Sequence, residues 1–366
     1  MQNTQSFIQN TSGIELHLHA EGSIPKDFLW MKRTDFDKNL TREQFDAEFN
    51  YSNFKDFVKH WCQNQKLLFS NPNNYNNIEQ CNDLKVHPGP IEILPVVAES
   101  LTNQGIAYAE LHVSPIDGCF MSYGKDLISY PDFYIGIVKA WQLACKSWNQ
   151  SFSERLTIKL ILDLVRNYPK DIQDFQVNCI RSIKEELTEY VAIGLGGGND
   201  SKSLLDFKSN FIKIREMGFG LVAHAGEHLP VEVASAEIGA ALDLGVDRIG
   251  HGIHGFQKHI RKLIDQNVVL EVCPTSNLMT GSVSSMTKHP LKELCASNVK
   301  FVVGSDDPVY FGTNFWREID IVSKLCSGSS NHDQNKFIRS LLLAAVDASF
   351  ADNSLKSSLR KKICME

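Results

Sequence analysis

Short apolar runs recur along the chain, separated by longer stretches in which apolar residues return every three or four positions. Eight of the short runs read as strands. They are "IELHLH" (Ile14–His19), "IAYAELHVS" (Ile106–Ser114), "LTIKLILDL" (Leu156–Leu164), "YVAIGL" (Tyr190–Leu195), "GLVAHA" (Gly220–Ala225), "DRIGHG" (Asp247–Gly252), "VVLEVCP" (Val268–Pro274) and "VKFVVGS" (Val299–Ser305). Most are apolar enough to be buried on both faces, as the strands of a parallel sheet are. "IEILPVVAESLTNQG" (Ile91–Gly105) and "PVEVASAEIGAALDLG" (Pro230–Gly245) are the clearest helices; the second has Pro near its first turn and Gly just past its end. Eight alternations of strand and helix predict an α/β protein built as a (β/α)8 TIM barrel rather than an open sheet.

One region breaks the alternation. Pro25 to Pro90 holds helical patterns and the polar loop "SNPNNYNN" (Ser70–Asn77), with no convincing strand. It reads as a helical insertion after strand 1, on the face where barrel loops build active sites. After Gly312 the chain reads as further helices, notably "KFIRSLLLAAVDASF" (Lys336–Phe350). With no repeat and no low-complexity linker, residues 1–366 read as a single barrel domain.

Composition narrows the function classes. The 366 residues are 43% hydrophobic and 22% charged, values ordinary for a soluble globular protein that buries a large core. A net charge of -6 with no long basic run points away from nucleic acid and from acidic membrane surfaces. No run of about 18 apolar residues predicts a membrane span. The nine cysteines are scattered and form no C-x-x-C pair, which argues against a cysteine-built metal site. Together with a polar start that does not resemble a signal peptide, they predict a reduced, cytoplasmic protein. Oligomeric state is not legible.

The chemistry lies at the predicted strand ends. His17 and His19 close the first strand, His224 the fifth and His251 the sixth, and Asp306 and Asp307 follow the eighth. In a barrel all strand C-termini meet at one face, so these groups converge. Strand residues i and i+2 share a face, so His17 and His19 can both point into the barrel mouth. Three histidines and one aspartate, with room for water, suit a catalytic zinc site, where the pKa of a bound water falls to about 7. Glu227, three residues past His224, puts a carboxyl near the metal for proton transfer. His251 is placed to orient or deprotonate the water.

Taken singly, each feature has a plain structural reading. H-x-H is more often packing, a D-D pair before Pro308 is a turn or cap, and a loop histidine is usually just satisfied. Their coincidence at four strand ends is hard to explain by packing, because buried charge is costly unless paired or metal-bound. "GLGGGND" (Gly194–Asp200) lacks the lysine of a phosphate loop and reads either as a tight turn or as backbone approaching a flat ligand. His60, His87, His112, His228, His254, His259, His289 and His332 read as surface or structural, with His228 and His254 near enough to the site to watch. Phe54, Phe57, Trp61 and Phe69 have helix-core spacing, although part of the cluster could line an apolar pocket lid.

"HLHAEGS", "HAGE", "RIGHGIH", "CPTSNLMTG" and "GSDDPVYFG", in this order, resemble the adenosine/adenine/AMP deaminase family of metal-dependent barrel hydrolases. The resemblance runs from Glu15 to about Phe350 and is poor from Lys26 to Val86. It implies one Zn2+ per chain on His17, His19, His224 and Asp306. It implies that Glu227 protonates the purine ring nitrogen beside the reacting carbon, that His251 holds the attacking water, and that Asp307 bonds the imidazole-ring nitrogen. Gly197 matches the glycine that gives a backbone N–H to the base, and His19 and Glu21 fall on the substrate side. The implied reaction is hydrolytic deamination of adenosine, or a related 6-aminopurine nucleoside, to the 6-oxopurine and ammonia. "RIGHGIH" and "TSNLMTG" are more similar to adenosine deaminases than to adenine deaminases, which tend to carry Asp at the position of Gly250. Two motifs near the sugar differ from the adenosine enzymes: "HAEG" replaces "HLDG", and "GGND" replaces an Asp-Glu pair. Adenine and a modified adenine nucleoside are therefore alternative substrates. A ring amide or ester hydrolase and a non-catalytic relative are more distant readings.

Overall fold

The computed structural model describes residues 7–364 apart from 9, 52–53, 70–87, 198–201, 229 and 328–329. Eight parallel strands form one sheet in the order β1 to β8: Gly13–His19, Ile106–Val113, Thr157–Val165, Tyr190–Gly196, Gly220–Ala225, Arg248–His251, Val269–Val272 and Phe301–Val303. A bridge between Leu18 and Asp306 brings the two edge strands together, so the sheet closes into a (β/α)8 barrel. The predicted strands are all present, but the last three are shorter than their apolar runs. Pro274 leaves β7 to begin the helix Pro274–Met279, where its missing N–H costs nothing. After β8 the chain enters a left-handed turn at Asp306 (φ 62°).

The strands are buried along nearly their whole length, as their sequences require. They also carry five fully buried charged side chains, Glu15, Glu110, Asp163, Arg248 and Glu271, each no more than 1% exposed. Such residues need partners. Helices cover the barrel, the longest being Pro131–Phe152, which buries Tyr134, Trp141 and Trp148. The helix expected from Ile91 starts at Pro88, ends at Asn103 and is followed by Gly105 at φ 74°. The tail forms helices Phe315–Cys326, Asn331–Ala348 and Asn353–Cys364. Phe350 meets Gly220, the first residue of β5, and so plugs the N-terminal mouth. No helix among the described residues is long and apolar enough to cross a membrane.

The segment after β1 contains helices Lys26–Phe36, Arg42–Ala47 and Phe54–Phe69. The second opens with a capping box between Thr41 and Gln44. The third lies across the C-terminal mouth. The Asn64 side-chain amide donates to the Tyr310 hydroxyl at 2.8 Å, and the Phe57 ring lies 4.9 Å from that of Phe311. The polar loop Ser70–Asn77 falls outside the described residues.

Trp141 is fully buried, so Trp141→Ala should cost about 3–5 kcal/mol. Urea unfolding should show a lower midpoint at an unchanged slope.

Candidate metal centre and active site

The bridge that closes the barrel also builds the centre. The Asp306 backbone N–H donates to the His17 carbonyl at 3.0 Å, and the His19 N–H donates to the Asp306 carbonyl at 2.9 Å. Asp306 is thereby held against both histidines, its Oδ1 lying 3.7 Å from His17 Nε2 and 3.3 Å from His19 Nε2. His224 arrives from the penultimate position of β5. One ligand atom each from His17, His19 and His224 lie within 4.8 Å of one another, close enough for one ion. His251, the last residue of β6, brings its ring centre to 5.0 Å from that of His17. Both His251 (φ 61°) and Asp306 (φ 62°) are left-handed, a conformation that costs non-glycine residues about 1–3 kcal/mol and tends to cluster at functional sites.

Each donor is oriented from behind. Glu271 Oε2 sits 2.6 Å from His17 Nδ1, the Leu195 carbonyl lies 3.2 Å from His224 Nδ1, and the Ser276 hydroxyl donates to Asp306 Oδ2 at 2.6 Å. Asp163 Oδ2 is 3.7 Å from His19 Nδ1. These contacts turn the Nε2 atoms toward a common point, as outer partners of metal-bound histidines do. His17 Nε2 is fully buried and has no hydrogen-bond partner. Burial alone would lower the pKa values of His17 and His19. Asp306 and Glu271 instead raise His17 to about 9, and Asp307, Asp306 and Asp163 raise His19 to about 10. The carboxylates thus call for positive charge at this point, and the nitrogen-and-oxygen donor set fits a divalent ion.

The groups expected to handle substrate lie around a cavity of about 280 Å³ above the cluster. Glu227 reaches it from beyond β5, its Oε2 3.5 Å from His251 Nε2 and 3.3 Å from His228 Nε2, with the Thr280 hydroxyl 3.4 Å from Oε1. The Asn277 amide contacts His251 Nδ1 at 3.1 Å, which leaves Nε2 facing Glu227 and, at 3.9 Å, Asp306. Burial lowers the pKa of His251, which favours the neutral ring. Asp307 also lines the cavity. Burial and the neighbouring Asp306 charge push its carboxyl well above the usual range. A Cβ on Gly22 would lie 1.8 Å from Asp307 Oδ1, so only glycine at that position admits the carboxylate. Gly197 reaches the cavity wall with φ 92°, and a Cβ there would meet Asn167. Gly198, Asn199 and Asp200 lie outside the described residues.

Among the residues expected on the substrate side, His19, Gly197 and Asp307 reach the cavity wall and Glu21 does not. It is fully buried, and its Oε1 accepts from the Ser114 backbone N–H at 2.9 Å. Burial pushes its carboxyl up to about 7.

Several residues at the site, some of them on the cavity wall, were not singled out from the sequence. His112, grouped there with surface or structural histidines, is fully buried with its ring centre 5.2 Å from that of His17 and its Nδ1 3.0 Å from Asp163 Oδ1. A charge inside an apolar strand, as in "LILDLV" or "VVLEVC", was the available signal. Asp117, which accepts from the Tyr168 hydroxyl at 2.6 Å, lines the cavity without belonging to any motif. Both readings of the aromatic cluster hold in part: Phe57 is buried in the core with Phe54 and Trp61 packed against it, and all three also line the cavity, because their helix crosses the mouth. The Phe69 side chain and His87 lie outside the described residues. His228 is on the cavity wall, while His254 is turned away to the Ser282 carbonyl, 2.8 Å from its Nε2.

Comparison with known proteins gives a consistent result. The family model described as "Adenosine deaminase" matches residues 13–366. The chain is 27% identical over 303 residues to an adenine deaminase of Marinomonas sp., covering 81% of each chain. It is 27% identical over 372 residues to an aminodeoxyfutalosine deaminase of Streptomyces avermitilis, covering 98% of this chain and 92% of the relative. Among solved structures, the adenine deaminase of Arthrobacter aurescens shares the fold, with a TM-score of 0.77 at 21% identity over 97% of this chain and 98% of that one.

The donor set predicts one divalent ion per chain by elemental analysis after loading and desalting. Asp306→Ala should retain well under half of it. A fully loaded variant would remove Asp306 from the set.

Proposed function

Because the chain belongs to the adenosine deaminase family, we propose that it hydrolyses the 6-amino group of a neutral purine nucleoside, adenosine or a close relative, using one zinc ion. As a member of that family it is a hydrolytic deaminase of adenine or adenine-like compounds. The finer reading rests on one observation: among the described residues, no lysine or arginine lines the cavity, whereas Asp117, Asp163, Glu227, Asp306 and Asp307 do. Lys202 is bonded to the backbone carbonyl of Tyr168 and is not itself on the wall. Away from the donor cluster a phosphate would meet Asp117 and, among the described residues, no lysine or arginine to pair with, so a nucleotide is disfavoured. Sugar hydroxyls have acceptors and donors available at Asp117 and Asn167, which supports a nucleoside over the free base. Adenine and a modified nucleoside are the alternatives that the same test separates.

His17, His19, His224 and Asp306 would hold the zinc, which when bound lowers the pKa of water and stabilises developing negative charge. Each protein group then has one task. His251 Nε2 orients the attacking water and takes its proton. Glu227 gives a proton to the ring nitrogen beside the amino-bearing carbon and so makes that carbon electrophilic. Asp307 and the Gly197 backbone N–H fix the base in plane. Water adds to the carbon, the C–N bond breaks, and ammonia leaves with the protons delivered to it. The ring of Trp61, 6.1 Å from that of His19, helps to exclude bulk water over this pocket.

Loss of adenine-type ultraviolet absorbance, followed on a panel of adenine, adenosine, larger 6-aminopurine nucleosides and AMP, tests the substrate class. A nucleoside should exceed both AMP and adenine at least tenfold in kcat/KM, and a preference for AMP would overturn the neutral reading. Glu227→Gln should keep its zinc and lose about 10²–10⁴-fold in kcat. Turnover near wild type would remove Glu227 from proton transfer.

A further inference from the structure

Behind the ligand cluster, on the side of His17 away from the cavity, runs a row of buried charges that no catalytic step uses. Glu271 on β7 meets His17 Nδ1 through Oε2 at 2.6 Å and Arg248 Nε through Oε1 at 2.5 Å. Arg248 on β6 reaches Glu110 Oε2 on β2 at 2.6 Å and donates to the Ala348 carbonyl at 3.1 Å. Glu110 Oε1 accepts from the Tyr108 hydroxyl at 2.7 Å and from the Phe350 backbone N–H at 2.6 Å. The Phe350 ring lies 4.4 Å from the guanidinium. All three charged residues are at most 1% exposed, and none lines the cavity.

The row does not balance. Two carboxylates and one guanidinium leave one net negative charge in the barrel interior, where an uncompensated charge is costly. Glu110 is satisfied at the far end by a hydroxyl, an N–H and half of Arg248. The surplus therefore falls on Glu271, the member in contact with His17. On the other face of the same imidazole, Nε2 points at the place where a cation would sit.

We propose that Glu271 is a positioning residue for the metal, fixing His17 with Nε2 toward the ion and supplying the buried counter-charge, while Arg248 and Glu110 hold that carboxylate in place. The inference rests on the metal reading above. It makes the floor of the barrel, including the chain around Ala348–Phe350, part of the metal centre's support.

The test measures metal affinity and melting temperature, not turnover. In Glu271→Gln the row becomes neutral and the amide can still contact Nδ1. Its metal dissociation constant, from competition with a chromophoric chelator, should rise about 10–100-fold. The rise in melting temperature on loading should shrink relative to wild type. Equal losses in the metal-free and loaded forms, or an unchanged affinity, would mean mere packing and overturn the proposal. Glu110→Gln removes the same charge at the far end and should change affinity less than threefold. Equal weakening in both variants would assign the effect to net charge and overturn the positioning role. Glu271→Asp keeps the charge but withdraws it from Nδ1, and should fold and bind with intermediate affinity even if the glutamine variant does not accumulate; wild-type affinity in it would count against the proposal. If the wild-type chain binds no ion, the metal reading itself fails; if it binds and Glu271→Gln binds as tightly, only this inference does.

Discussion

Among the described residues, the barrel closes at the C-terminal ends of its strands by a single bridge, between Leu18 and Asp306. β8 is only three residues long, and its continuation turns left-handed at Asp306, yet the backbone still pairs with β1 on both sides of that residue. Closure of the sheet and convergence of the donors are therefore one event. The paired backbone delivers the Asp306 carboxylate to His17 and His19, and the strained dihedral is tolerated because two hydrogen bonds fix it. Had β8 simply continued as strand, its side chains would alternate between barrel and helix layer and Asp306 would have no assured place over the cluster.

Electrostatics makes the same region self-consistent. Carboxylates surround imidazoles whose Nδ1 atoms face Glu271, Asp163 or the Leu195 carbonyl. Adjacent Asp306 and Asp307 respond in opposite directions: the imidazoles beside Asp306 hold its carboxyl well below the usual range against the effect of burial, whereas burial and that neighbouring charge lift Asp307. Two carboxyls side by side in one dry pocket cannot share the same state, and that separation gives them different work. Arg166 contributes away from the metal: its guanidinium bonds the His224 carbonyl and pairs with Glu237 at 2.7 Å, fixing the end of β5 from the helix layer.

Much of this was legible in the sequence, for physical reasons that also explain what was not. Strands buried on both faces cannot hide their apolar runs, so all eight could be read, and their ends fixed where His17, His19, His224 and His251 would meet. Strand boundaries were less legible at β6 to β8, where apolar residues continue into turns that pack against the mouth. The outer contacts were harder still. Glu271 and Asp163 each stand alone in an apolar run, and nothing local says whether such a carboxylate meets an arginine, a histidine or water. For the helix Phe54–Phe69 two readings stayed open in the sequence, core or pocket lid. The same apolar spacing serves a helix that packs under a barrel and one that lies over its mouth, and only tertiary placement distinguishes them.

That helix walls the cavity above the candidate centre. Its apolar face supplies Phe54, Phe57 and Trp61 to the cavity, while Asn64 ties it to Tyr310 in the segment that follows Asp307. The roof is thus attached to the same loop that carries the two aspartates, so a shift of one is felt by the other. Beside it, Asp117, whose Oδ2 accepts from Trp61 Nε1 at 3.5 Å, and Tyr168 form a polar wall on which no lysine or arginine lies among the described residues. A flat base can lie between the metal cluster and the aromatic roof, with a hydroxylated sugar against the polar wall. The strand ends place the candidate donors, and on the proposed reading selectivity comes from the roof between β1 and β2 together with Asp117 and Asn167, which follow β2 and β3.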